Sequence, residues 1–302
     1  MVIAIIAILF SMLFPALQKA TYQARLISCM NNLSQLGKAV LAYAEDNFDF
    51  YPRRQVNVMV GQQMMVLKRG VGQSAWDDRG LYSPYANLDT ILICPFSTLS
   101  PGISLSSSYA DTAGEVWTTY ELWCGSKIYR DEYPAMPSLG VPANPGTDSE
   151  DNQTGMLRVG QRPTWPYSNF IPQFAAKSYT FNILSADLER LYEGAGGYYW
   201  ITASHPDKSQ ELKPLELSAA TGVGTYVLSN WFKDWGDGSG STWGNPANLT
   251  RGPLDRNFLR DDGSVLTMAD LAVRDPRLVK MPGFANLATW AVSFWLPPME
   301  LQ

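Results

Sequence analysis

Val2-Ile-Ala-Ile-Ile-Ala-Ile-Leu-Phe-Ser-Met-Leu-Phe-Pro-Ala-Leu17 is an uncharged apolar run that passes without a break into the polar stretch Gln18-Lys-Ala-Thr-Tyr-Gln-Ala-Arg25. A membrane-crossing helix needs roughly 20 apolar residues, so the run is slightly short for a span. It is too apolar and too continuous for an ordinary surface helix, and it reads as a span whose beginning is missing. A cleavable secretory signal would place a basic segment before the apolar core and a small-residue cleavage site after it. Nothing basic precedes Val2, and a helical pattern continues beyond Pro15 where a processing loop would be needed.

That downstream pattern is amphipathic. Leu26, Met30, Leu33, Gly37, Val40, Leu41 and Ala44 recur at steps of three and four, which draws one apolar stripe on a helix. Apolar run and stripe therefore form one rod from Val2 to about Asp46, about 65–70 Å long at ~1.5 Å per residue. The first half belongs in lipid and the second against a folded head. Pro15 removes a backbone hydrogen bond and predicts a kink, which membrane helices tolerate.

The segments Val2–Leu9, Ser11–Leu17 and Ile27-Ser-Cys-Met-Asn-Asn-Leu-Ser-Gln-Leu-Gly37 resemble the N-terminal region of prepilin-type proteins. The resemblance covers about the first 45 residues. It is nearest to the pilin-like and pseudopilin-like proteins of the Lentisphaerae and Planctomycetes, related to type II secretion pseudopilins. That family carries a short basic leader ending in Gly, then Phe-Thr-Leu-Ile-Glu, with cleavage after the Gly and methylation of the new terminal Phe. None of this stands ahead of Val2, so a misassigned start or a trimmed chain is the expectation. The positive-inside rule agrees, since the first basic residues, Lys19 and Arg25, follow the apolar run, and only a basic leader would orient it.

Beyond Asn47 the composition becomes that of an exported globular head. The chain has 302 residues, 46% hydrophobic and 12% aromatic, enough for a substantial core. Its 24 Gly and 20 Pro, with a Pro-rich run from Pro134 to Asp151, imply many turns and a long loop. Strand composition marks Glu115–Cys124, Gly197–Ala203 and Gly224–Phe232. In Asn257–Met268, Asp262-Gly263 between two short strands is a hairpin signal. The expected fold is α+β: a pilin-like long N-terminal helix packed on a mainly antiparallel β-sheet head with loop insertions. Its divisions are a filament-core or transmembrane half at 1–18, an amphipathic half at 19–47 and a β-rich head at 48–302. Asp262-Gly-Ser-Val265 also resembles the terminal hairpin of the family's heads, although the histidine that commonly lies about ten residues earlier is absent.

Cys29 lies on the helix and Cys94 in Ile91-Leu-Ile-Cys-Pro-Phe96, a segment typical of the family. The resemblance thus implies a bridge pinning helix to head in an oxidising compartment, with three buried thiols as the alternative, and Cys124 leaves the count odd. Asp234-Trp-Gly-Asp-Gly-Ser-Gly-Ser241 is the candidate calcium loop, through Asp234, Asp237 and Ser239, because hard cations need several oxygens from a flexible loop. A plain solvated turn is the competing reading. His205, the only histidine, reads as a surface residue after a strand, and Asp187 and Glu189 read as the solvated face of a helix.

The chain therefore offers no catalytic constellation and no phosphate-binding glycine motif. A net charge of −5 with dispersed basic residues argues against nucleic acid. The expected role is structural and not enzymatic: a filament subunit of the type IV pilus or type II secretion pseudopilus kind. Val2, Ile3, Ile5, Ile6, Leu9 and Leu13 would form the filament core, and Leu26, Met30, Leu33, Gly37 and Val40 would dock the head. Its partners would be membrane lipid, copies of itself, a prepilin peptidase and the assembly machinery. The head would sit in the periplasm or on an extracellular filament. The rival expectation is a tethered exported binding module or enzyme, glycan-directed, that does not polymerise.

Overall fold

A computed structural model describes residues 2–52, 66–69, 76–96, 98–99, 115–122, 158–160, 164–166, 178–180, 182–187, 189–194, 198–205, 208, 216–219, 226–227, 253–272, 275–284 and 290–297. One helix dominates it. Helix α1 (Val2–Asp46) runs unbroken through Pro15. It ends where Phe48 and Asp49 turn into the left-handed region at φ 57° and 65°, while the Asn47 and Asp49 amides both return to the Ala44 carbonyl. Two helical turns follow, α2 (Arg79–Tyr82) and α3 (Leu88–Ile91). Asn87 caps α3 by accepting from the Asp89 amide at 3.2 Å.

The strands are β1 (Val66–Arg69), β2 (Trp76–Asp77), β3 (Thr98–Leu99), β4 (Glu115–Trp117), β5 (Tyr120–Leu122), β6 (Thr164–Pro166), β7 (Ser178–Thr180) and β8 (Ile183–Asp187). They continue with β9 (Glu189–Gly194), β10 (Tyr198–Ala203), β11 (Glu216–Ala219), β12 (Tyr226–Val227), β13 (Leu254–Arg260), β14 (Val265–Leu271), β15 (Val279–Phe284) and β16 (Trp290–Leu296). Two antiparallel four-stranded sheets have the orders β14-β13-β8-β5 and β10-β9-β16-β15. Smaller groups are β2-β1-β4, β6-β7 and β12-β11-β3, of which only β11 with β3 is a parallel pair among the described strands.

The second half of α1 lies on the β14-β13-β8-β5 sheet and is flanked by α2 and α3. Leu26, Cys29, Leu33, Leu36 and Val40 enter a core with Tyr120, Leu184 and Leu259. Each such apolar side chain contributes about 1.5–3 kcal/mol. Met30 is only half-buried, and Cys29, Asn32 and Leu36 lie inside it instead. The buried row is thus rotated slightly from the stripe that hydropathy alone draws. Asn32 is admitted because its amide donates to the Ile93 carbonyl at 3.0 Å and to Tyr120 Oη at 3.3 Å.

Other expectations need correction. Glu115–Cys124 is not one strand: β4 and β5 belong to different sheets. Between them the Thr118 hydroxyl donates to the Tyr120 carbonyl and accepts from the Tyr120 amide, a local turn that competes with the ladder. Residues 185–187 and 189–191 lie in β8 and β9 rather than in a helix, and Asp187 and Glu189 are buried rather than solvated. Of Gly224–Phe232 only β12 is described, and Cys124, residues 134–151 and the loop with Asp234, Asp237 and Ser239 lie outside the described residues.

Candidate functional site

Two features set this molecule apart from an ordinary α+β head. The first is the leading half of α1. Val2, Ile3, Ile5, Ile6, Ile8, Leu9, Phe10, Met12, Leu13, Phe14 and Leu17 are all exposed. They point to every side of the helix, so no single neighbouring face could cover them. The hydroxyls in and just after this stretch are turned inward: Ser11 Oγ donates to the Ile8 carbonyl at 2.8 Å and Thr21 Oγ1 to the Leu17 carbonyl at 2.9 Å. Pro15 supplies no N–H to the Ser11 carbonyl. Apart from that carbonyl, a helix that takes up its own hydroxyl groups in this way suits an apolar medium. By length and composition α1 can cross a membrane, and its apolar window is wholly unburied. A signal sequence near an N-terminus has the same properties.

The second feature is a sealed polar cluster where the other half of α1 meets the head. Cys29 comes from α1, Cys94 from the segment after α3, His205 from the residues after β10 and Asp187 from the end of β8. The sulfurs of Cys29 and Cys94 lie 3.0 Å apart. His205 Nε2 is 3.3 Å from Cys29 Sγ and 3.2 Å from Asp187 Oδ2. All four residues are at most 1% exposed, so this is interior chemistry and His205 is not the surface residue its sequence setting suggests. The Phe96 ring packs against the imidazole at a tilt of 55°, with centroids 4.6 Å apart.

The strand Leu254–Arg260 organises the cluster. The Asp255 carbonyl, which can only accept, faces His205 Nδ1 at 2.7 Å and so assigns the proton to that nitrogen. Nε2 is thereby turned to Cys29 and Asp187. The Asn257 amide and side chain both donate to Asp187 Oδ2, at 2.7 and 2.8 Å. Arg256 donates from Nε and Nη2 to the Asp187 carbonyl and from Nη1 to Glu189 Oε2 at 3.2 Å. Asp187 Oδ1 has no hydrogen-bond partner among the described residues.

Burial alone would lower the His205 pKa, but the Asp187 charge, the Cys29 side chain and the Asp255 carbonyl outweigh it and push it up to about 9. Burial raises the Asp187 carboxyl, against the pull of His205, Asn257 and Arg256. The adjacent Cys94 sulfur and burial push the Cys29 thiol far up, with His205 pulling the other way. Cys29, Cys94 and His205 each offer one donor atom within 4.8 Å of the others, a set that zinc could also use.

The family resemblance pairs Cys29 with Cys94, whereas the sequence reading puts His205 and Asp187 on the surface and does not single out Asp255, Arg256 or Asn257 for this cluster. A usable signal was present: a strand holding three consecutive polar residues, Asp255-Arg256-Asn257, inside the apolar frame of Leu254 and Phe258. A strand buried on both faces must pair such groups. The chain also leaves and rejoins this point, because the Lys208 amide donates to the Pro253 carbonyl at 2.8 Å. His205 thus stands beside the start of the Asp262-Gly263 hairpin in space, although far from it in sequence.

No family model matches the chain, and comparison with curated proteins and with solved structures finds no match.

Proposed function

We propose that this chain is a structural subunit of a type IV pilus-like or type II secretion pseudopilus-like filament. The observation that carries the reading is one helix with two environments: residues 2–17 exposed on all sides, and from Leu26 to Ala44 one face buried in the head. Before assembly, the exposed half would hold the protein in the inner membrane with its head in the periplasm. On extraction, copies of that half would pack together, since burial against one another replaces burial in lipid. Ile3, Ile6, Leu9 and Leu13 would then line the filament core, and the heads would form its surface. The resemblance of Val2 to Gly37 to prepilin-type sequences supports this role and names the partners, a prepilin peptidase and an assembly machine.

The His205, Asp187 and Cys29 groups are sealed from solvent, which supports a structural role over catalysis at that cluster. The test is cysteine crosslinking in native membranes and in sheared surface material, with Ile6→Cys and Leu13→Cys introduced singly. A ladder of covalent multimers together with filaments in electron micrographs is the expected result. Monomers confined to the membrane under conditions that assemble other filaments would leave the apolar half as a tether, and the exported binding module would be the better reading.

A further inference from the structure

The buried Cys29, Cys94, His205 and Asp187 group is more than a packing contact. Non-bonded carbons rest about 3.5–4.0 Å apart and sulfur is larger, so two thiols with sulfurs at 3.0 Å are crowded. A disulfide, with sulfurs about 2.0 Å apart, removes the crowding by a movement of about 1 Å. A tetrahedral zinc site would require the opposite, pushing the sulfurs further apart than they lie. The surroundings fit a bond as well. The Cys94 amide donates to Thr119 Oγ1, and Asn32, one turn along α1 from Cys29, holds the Ile93 carbonyl. The two cysteine-bearing segments are therefore already fixed against each other.

We infer that Cys29 and Cys94 form a disulfide that staples the head to α1, and that His205 promotes its closure by offsetting part of the burial cost of the Cys29 thiolate. His205 Nδ1 is anchored on the Asp255 carbonyl, so Nε2 faces Cys29 Sγ. A neutral ring takes the thiol proton and a charged ring stabilises the anion, while Asp187 Oδ2 holds the charge on the ring and acts against the one on Cys29. The oxidant is a disulfide-bearing thiol oxidant of an exported compartment. Cys94 attacks one of its sulfurs and expels one thiolate. Cys29 then attacks the Cys94 sulfur of the mixed disulfide and expels the second thiolate. The pair loses two electrons and two protons, and the oxidant leaves as two thiols. Because both cysteines are fully buried in the folded state, exchange happens as the head settles on the helix, and the bond is then sealed.

The inference takes its oxidising compartment from the proposed export of the head but does not require a filament. Full-length protein from native membranes is denatured and alkylated before and after reduction, and the modified peptides are identified by mass. The expected result is that Cys29 and Cys94 resist alkylation until reduced and appear as one crosslinked peptide pair. Alkylation of both without reduction overturns the staple, and zinc at one equivalent with free thiols replaces it by a metal centre. In a second measurement, the reduced full chain is refolded in detergent with glutathione disulfide at pH 7. Wild type should close the bond roughly tenfold faster than His205→Gln. Equal rates overturn the role given to His205, and the peptide masses of the wild type stand even if that variant fails to fold. Bonded protein that never polymerises would sink the filament reading alone, whereas filaments of free-thiol subunits would sink this one alone.

Discussion

Gly37 of α1 lies so close to Leu259 of β13 that a β carbon on Gly37 would sit 2.8 Å from Leu259 Cδ1 and 3.4 Å from the Gly263 Cα. Helix and hairpin meet backbone to side chain at this point, and Leu259 has no room to retreat because it is fully buried. Gly37→Ala gains up to about 1 kcal/mol of helix propensity but overpacks a closed contact, which typically costs about 1–3 kcal/mol. Net destabilisation is expected, read as a lower melting temperature of the detergent-solubilised protein. Gly80→Ala is the matched control, since a β carbon there meets nothing within 4 Å. Equal melting of Gly37→Ala and wild type would refute the close contact.

His205 gives the protein a pH dependence of definite sign. Its pKa is raised to about 9 in the folded protein and returns to roughly 6.5 on unfolding. The folded state therefore holds an extra proton between those values. The stabilisation is complete below about pH 6.5 and is lost as pH rises through about 9, with an upper size of roughly 3 kcal/mol. Asp187 is raised by burial and Asp275 is lowered to about 2 chiefly by its hydrogen bond from Arg277, whereas Cys29, pushed far up by Cys94 and burial, adds its own loss of stability once pH passes the ordinary thiol value of roughly 8.5. Because the chain has one histidine, melting temperatures across about pH 6.5–8, below the thiol range, should fall for wild type and lie nearly flat for His205→Gln. A flat wild-type profile is the outcome that contradicts the ion pair with Asp187.

Arg256 is fully buried, with its guanidinium 4.8 Å from the Phe258 ring and hydrogen-bonded to the Asp187 carbonyl and Glu189. Glu121 Oε2 is 3.9 Å away. Removing the cation leaves carboxylates buried around a cavity, for which about 3–5 kcal/mol is the usual cost. Arg256→Ala should therefore unfold or nearly unfold the head. Arg256→Met combined with Glu121→Gln and Glu189→Gln should recover much of the loss, because neutral groups of similar size avoid the charge burial. Chemical denaturation of the two variants checks this. An Arg256→Ala protein within about 1 kcal/mol of wild type would show that the network carries little stability.

The sequence made the long helix legible because its two signals are local: an uninterrupted apolar run and a stripe at steps of three and four. The hairpin at Asp262-Gly263 was equally local. There Gly263 takes φ 81°, its amide donates to the Arg260 carbonyl, and the Asp262 side chain accepts from the Ser264 amide. The polar cluster is the opposite case. Asp187 and Glu189 look like one face of an exposed helix until β13 pairs with β8 and brings Arg256 and Asn257 beside them. His205 becomes an interior residue because Cys29, Phe96, Asp187 and Asp255, the last from 50 residues away, meet around its ring. Long-range pairing decides burial, and no window of neighbouring residues contains that information.

The two halves of α1 should respond in opposite ways to the same substitution. Leu9 is 62% exposed and Leu33 fully buried, although both are leucines on one continuous helix. Leu9→Arg touches no head residue, so the melting temperature of the solubilised protein should stay within about 1 °C of wild type, as surface changes usually do. In a bilayer the same arginine costs about 2.5–3.5 kcal/mol at the helix centre, so more protein should be released from membranes by alkaline carbonate. Leu33→Arg places an unpaired charge in the core and should unfold the head. If Leu9→Arg instead lowers the melting temperature as Leu33→Arg does, residues 2–17 are packed against protein within one molecule. If it changes neither melting nor membrane release, the segment is not an anchor, and the filament proposal loses its starting state.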